Sequence, residues 1–203
     1  MTEAAGGPVS LDALAHSILA RSGYRFTLAD DQAQQDAAYR LRHEAVIDAG
    51  WQHEPDDARL EGRERDRYDA RAIHVLGWDD EQTIATGRLV LPPGPLPTEE
   101  ACALIVEPQG KVVDVGRMTV ARSHQAASHP VFLALLARLY LEVRARGFDV
   151  ACGMMSPRAR SLVRLLGLQL EMLGDDRLYW GELRAPVRFS VTINSTSLTT
   201  RWR

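Results

Sequence analysis

A strand–helix–strand run in the second half of the sequence constrains the fold most. KVVDVGRMTVA (111–121) reads as a buried strand and PVFLALLARLYLEVRARG (130–147) as a helix with proline at its start and glycine at its end. FDVACGMM (148–155) reads as the next strand. Parallel neighbours need a long crossover, so the helix must lie across one face of the sheet that both strands share. Upstream, AIHVLGW (72–78) and TIATGRLVL (83–91) flank the turn-like DDEQ and predict a hairpin, which a proline-rich break at PPGPLP ends. The sheet is therefore mixed, part antiparallel and part parallel.

The flanks complete the order. Leu11, Leu14, Ile18 and Leu19 recur at helical spacing behind Ser10, a suitable N-cap, so one amphipathic helix opens the domain. YRFTLA (24–29) alternates like a strand, and the segment from Asp30 to Gly50 predicts a helix with acidic residues at its start and glycine at its end. After residue 155 come a short helix, SPRARSLVRLLG, and strands at LQLEML, RLYWGEL and VRFSVTI. The expected division is a leader and helix at 1–23, one α/β domain with a mixed central β-sheet and helices on both faces at 24–193, and a tail at 194–203.

Composition narrows the classes. A chain of 203 residues, 45% hydrophobic and 25% charged, suits one compact core. A net charge of −3 supplies no basic field for nucleic acid. Cys102 and Cys152 form no C-x-x-C pair, and His124 and His129 have no third ligand nearby, so no metal is expected and a reducing cytoplasm fits. The first twenty residues lack a basic start and an apolar run, and no stretch is long and apolar enough to span a membrane.

GRERDRYD (62–69) gathers Glu64, Asp66 and Asp69 with three arginines. A run like this is ordinarily a solvated loop. On an extended segment Glu64 and Asp66 face one side and Asp69 the other, unless a turn intervenes. Close like charges and burial would lift one carboxyl toward working pH, and a buried ion-pair network holding loop to sheet explains Asp69 equally well and Glu64 less well.

In order, YRLRHEAVIDAGW, ERDRYD, GRLVL and DVGRMTV resemble the successive signature blocks of acyl-homoserine-lactone synthases and related N-acyl amino acid synthases, over roughly residues 39–121. The resemblance implies a GNAT acyltransferase fold and transfer of an acyl group from a thioester to an amine, with no permanently bound cofactor. It implies that Arg42 and Trp51 sit near the amine, that Glu64, Asp66 and Asp69 form an acidic cluster, and that Arg88 and Arg117 tie the cluster down. Asp114 falls where the family has glutamate and Val46 where it usually has phenylalanine. These departures leave the identity of the amine open.

Aminolysis of a thioester needs a neutral amine, a polarised carbonyl and an exit for a proton. Glu64 is the expected base, through a water, and the resemblance to GNAT folds, whose central strand is bulged, implies carbonyl donors from backbone amides near Val120 and Ala121. Cys152, in an apolar strand without an adjacent histidine, reads as core. Met118, Met154 and Met155 are candidates for an acyl tunnel, though methionines in strands are more often core. The turn ARSHQAASHP has no glycine for a pyrophosphate cradle, which favours an acyl carrier protein over acyl-CoA. Arg122, Arg158, Arg160 and Arg164 are the expected cations on the donor side, although a solvated face explains the last three equally well. The alternatives are a CoA-dependent acetyltransferase acting on a small or protein amine, and a binding module without turnover.

Overall fold

The computed structural model of the protein describes residues 10–51, 62–165 and 168–192. The leader at 1–9, the polar loop after Trp51 and the tail at 194–203 lie outside the described residues. The elements are helix α1 (Leu11–Ser22), strand β1 (Arg25–Leu28), α2 (Gln32–Ala49), β2 (Ala72–Asp79), β3 (Gln82–Val90), α3 (Pro97–Cys102) and β4 (Val112–Val120). They continue with α4 (Ser128–Ala145), β5 (Val150–Met155), α5 (Pro157–Leu165), β6 (Leu170–Met172), β7 (Arg177–Tyr179) and β8 (Glu182–Ser190). The sheet has eight strands in the order β1-β2-β3-β4-β5-β8-β6, with β7 paired to β8. Among the described strands only β4 and β5 pair parallel, and α4 is their crossover.

Local chemistry sets the helix ends. The Ser10 hydroxyl accepts from Ala13 N–H and the Asp31 carboxylate from Gln34 N–H, while Gly23 and Gly50 close α1 and α2 in the left-handed region. α4 starts at Ser128, earlier than expected, and takes in Pro130 within its first turn, where a missing N–H costs nothing. The helix α1 packs beside α4, with Leu11 against the main core and Tyr140 Oη donating to Asp12 Oδ1 at 2.5 Å. The opening helix thus shares the core of the sheet.

The sheet's two faces differ in chemistry. One carries Leu89, Val113, Val115 and Ala151 under α4. There α4 lies so close that a Cβ on Gly87 would stand 2.8 Å from Leu139 Cδ1. On the other face, His74 pairs with Arg88, and Val90 with Asp114 and then Cys152 across β3, β4 and β5. Helix α2 crosses this polar face at its β2–β3 side, and a second, smaller core around Leu96, Val106, Val112 and Cys152 fills the rest.

RLYWGEL is not one strand. Trp180 at φ +53 and Gly181 at φ +72 turn the chain between β7 and β8, which pair through Tyr179 and Glu182. Two positive-φ residues in succession make the tight hairpin turn that fits strand twist. Tryptophan in the first of them hides the signal.

Candidate active site

The charged run is not a solvated loop. Glu64 and Asp69 are 1% and 6% exposed, and Arg42 and Arg88 are 3% and 2% exposed. Arg42, from the buried side of α2, grips Glu64 through Nε and Asp69 through both terminal nitrogens, at 2.8 and 3.2 Å. Arg88 Nη1 donates to Asp66 at 2.6 Å and to Asp69 at 2.8 Å. Arg117 closes the ring, with Nε 3.1 Å from Glu64 and Nη2 3.1 Å from Asp66. Three guanidiniums thus face three carboxylates, and the buried charge balances.

Two backbone devices bring these groups together. The first is a 3-10 helix at Arg67–Arg71, for which Asp66 is the N-cap and Asp69 the third residue, each bonding the other's end of the turn. This is the turn needed to put Asp69 on the same side as Glu64 and Asp66. The second is a bulge in β4: Arg88 pairs with Gly116 but Thr86 with Thr119, so Arg117 and Met118 together oppose Gly87. Strict alternation would send Arg117 to the α4 face. Instead it is held at φ +50, an uncommon conformation for a long side chain, and reaches the carboxylates. Met118 packs against the main core.

Electrostatics overturn one expectation. Burial alone would raise the Glu64 carboxyl, but Arg117 and Arg42 outweigh it and hold the pKa below the usual carboxylate range. Against the same opposition from burial, Arg42 and Arg88 hold Asp69 well below that range too. Glu64 is therefore a poor general base, because its charge is already shared between two arginines. The network reading describes its geometry.

Beside the bulge the sheet opens. β4 and β5 pair only through Val112–Val150, Val113–Ala151 and Asp114–Cys152, then run on unpaired to Val120 and Met155. Ala121 N–H donates to Ile84 O of the β2–β3 hairpin at 2.7 Å and is spent, contrary to the expected donor role. Val120, its neighbour in an antiparallel ladder, directs its N–H to the opposite edge, into the opening. An oriented amide in a partly closed gap is a donor for a carbonyl oxygen that gains charge.

The aromatic wall comes from Trp51 and the β7–β8 turn. Arg117 lies 3.9 Å from the centre of the Trp180 ring, and Arg184 lies 4.9 Å from that of Trp51. A Cβ on Gly181 would stand 2.8 Å from Trp51 Cδ1, so the turn and Trp51 are in direct contact. Trp51 thus stands behind the turn whose Trp180 covers Arg117.

Other expected residues stand elsewhere. Asp114 is 3% exposed and accepts from Thr98 N–H at 2.8 Å, with the Cys152 thiol at 3.6 Å; burial raises its carboxyl pKa. It anchors α3 rather than facing a substrate. Burial and Asp114 push the Cys152 thiol far up, which suits core and not a nucleophile. Arg160 is 8% exposed, fixed to both Asp176 oxygens at 2.7 and 3.1 Å and to Met155 O at 2.9 Å. Its guanidinium ties α5 to the loop after β6 and does not face a partner. Arg158 and Arg164 are exposed, and Arg122 pairs with Asp48 at the surface at 3.2 Å. His124 pairs with Asp79 at 2.9 Å.

The sequence reading missed His74 and Trp180. His74 is 3% exposed, with Nε2 3.6 Å from Asp69 Oδ1, its ring edge-on to Tyr39 and neither ring nitrogen hydrogen-bonded among the described residues. Burial pushes its pKa down to about 4, against the pull of Asp69, so the imidazole is neutral near pH 7. A histidine at an inward position of a half-buried strand was the available signal.

Residues 41–135 match the family model described as the acetyltransferase (GNAT) domain. The match covers the middle of the chain, and the architecture of the described residues is that of a GNAT fold. Among solved structures, the acyl-homoserine-lactone synthase LasI is similar at TM-score 0.72 and 15% identity, over 87% of this chain and 94% of that one. BjaI, a CoA-dependent acyl-homoserine lactone synthase with SAM and isopentyl-CoA, is similar at 0.68 and 18%, over 85% and 84%. FeeM, an N-acyl amino acid synthase from uncultured soil microbes, is similar at 0.61 and 13%, over 82% and 89%. At these identities the likeness is one of fold. No curated protein matches the sequence.

Proposed function

We propose that the protein moves an acyl group from a thioester to the amine of a small acceptor, an amino acid or a homoserine-lactone-type compound. The observation that carries this reading is the opening between β4 and β5, which presents the Val120 amide one short step from the bulge that seats Arg117 in the carboxylate cluster. The thioester lies in the opening with its carbonyl oxygen on Val120 N–H, and the amine approaches from the side of Trp51 and Trp180. Glu64, Asp69, Arg42 and Arg88 hold the site rigid, while Asp66 and Arg117 form its accessible edge, 8% and 15% exposed at the side chain. The ammonium proton leaves to water along that edge, and the negative side of Asp66 favours the approach of a cationic amine. The released thiol takes up a proton as the amide forms, so charge balances over the cycle.

Both donor classes fit this reading. The turn after β4 forms a glycine-free 3-10 helix at Arg122–Ala127, which supports a carrier protein, with Arg158 and Arg164 as the exposed cations on α5. The fold shared with BjaI, described as CoA-dependent, supports acyl-CoA. Mass spectrometry of lipid extracts from a host expressing the chain, compared with one carrying Arg117→Ala, tests the reading: N-acyl amines appear only with the unaltered chain. Identical extracts from both hosts remove the cluster from the chemistry.

A further inference from the structure

We propose that a second cavity, of about 400 Å³ at the N-terminal end of β4, binds a small organic cation with an aliphatic body. Its floor is Leu96, Val106 and Val112, all 4% exposed or less and part of the smaller core. Pro92, Pro93 and Pro95 wall one side, and Ile105, 64% exposed, stands at the rim. An apolar floor open to solvent on one side suits an alkyl chain.

Charge selects the head group. Among the described residues, the ionisable side chains lining the cavity are Glu99 and Glu100. Glu99 accepts Leu96 N–H and Val106 N–H, each at 2.9 Å, which fixes its carboxylate between the two loops that shape the cavity. Those amides bring no net charge, and no cation among the described residues lies within ion-pair distance of Glu99. A carboxylate has about four acceptor positions, so two are left for an ammonium. Glu100 is already held by Arg67 at 2.5 Å and by the Tyr68 hydroxyl, which leaves Glu99 as the anchor.

This is not the acceptor position of the acyl transfer. Val112 precedes Arg117 by five residues on β4, about 16 Å at the ~3.3 Å rise of a strand, too far for a bound amine to reach a carbonyl at the bulge. The site stands whether or not the acyl transfer is confirmed, and its test needs no turnover. Isotope-labelled full-length protein is titrated with hexylammonium, hexanol and hexanoate while the amide resonances of Leu96, Val106 and Gly110 are followed. Hexylammonium should give saturable shifts, hexanol about threefold weaker binding or less, and hexanoate none over the same range. Ile105→Lys, at an exposed position, should keep the melting temperature and weaken hexylammonium about three- to fivefold. Absence of saturable shifts, equal binding of hexanol or hexanoate, or an unchanged affinity in Ile105→Lys each overturns the proposal.

Discussion

Arg117 Nε lies 3.1 Å from Glu64 Oε1 only because β4 bulges there and holds Arg117 at φ +50, turned away from the face that strand alternation assigns to it. The strain is sustained by what the side chain then meets: Glu64, Asp66 and the Trp180 ring. Arg117→Ala leaves two buried carboxylates short of a partner, so stability should fall by about 3–5 kcal/mol in urea unfolding. Arg122→Ala, which breaks only a surface pair, should change it by less than ~0.5 kcal/mol. Equal losses in the two variants would mean that the Arg117 contacts do not support the fold.

His74 should give stability a pH slope. Its pKa of about 4 in the folded protein lies below the ordinary value of 6.5, so the unfolded chain binds more protons between those pH values and stability declines as pH falls from about 6.5 to 4. The decline from this group is at most about 3 kcal/mol. Glu64 and Asp69, whose pKa values are depressed, add their own losses as pH falls from their ordinary values through their lowered ones. Because neither His74 nitrogen is hydrogen-bonded among the described residues, His74→Leu should cost little at pH 7 and flatten the slope. A slope unchanged in that variant assigns it to other groups.

Gly181 couples the β7–β8 turn to Trp51. Alanine there carries both the penalty of φ +72, about 1 kcal/mol, and a clash with the indole at 2.8 Å. Gly181→Ala should shift the tryptophan emission, lower the melting temperature by a few degrees and raise KM for the amine more than for the thioester. A change in thioester KM alone would place Trp51 on the donor side.

The arginines of α5 divide by what they touch. Arg160→Ala frees Asp176 and Met155 O from their partner and should lower the melting temperature. Charge reversal at the exposed Arg164 should leave it nearly unchanged and raise the apparent KM for a carrier-protein donor more than for acyl-CoA, with the difference shrinking above ~0.15 M salt. Equal effects on both donors would remove α5 from donor recognition.

The periodicities at 72–91 and 111–155 were enough to foresee the hairpin, the crossover and the mixed sheet, because hydrophobic spacing is a local property. Four charged blocks in order likewise singled out Arg42, Glu64, Asp66, Asp69, Arg88 and Arg117, which the fold brings into one network. Their protonation was not legible, since it depends on which arginine reaches which carboxylate across the sheet. Nor was the inward placement of Asp114 and Arg160, whose partners Thr98 and Asp176 lie sixteen residues away in sequence. At the bulge and at the first position of the β7–β8 turn, Arg117 and Trp180 take a positive φ that such residues ordinarily avoid, so propensity concealed both features.

The central claim is tested most directly by following purified protein with one octanoyl donor, as carrier-protein thioester and as CoA thioester, against a panel of amino acids and homoserine lactone, with thiol release and N-acyl product both quantified by mass spectrometry. The account expects amide and free thiol to form in equal amounts, to require both donor and amine, and to fall by a factor on the order of 10² or more in Arg117→Ala. Thiol release without amide, or no turnover with either donor from protein that is folded, would contradict it.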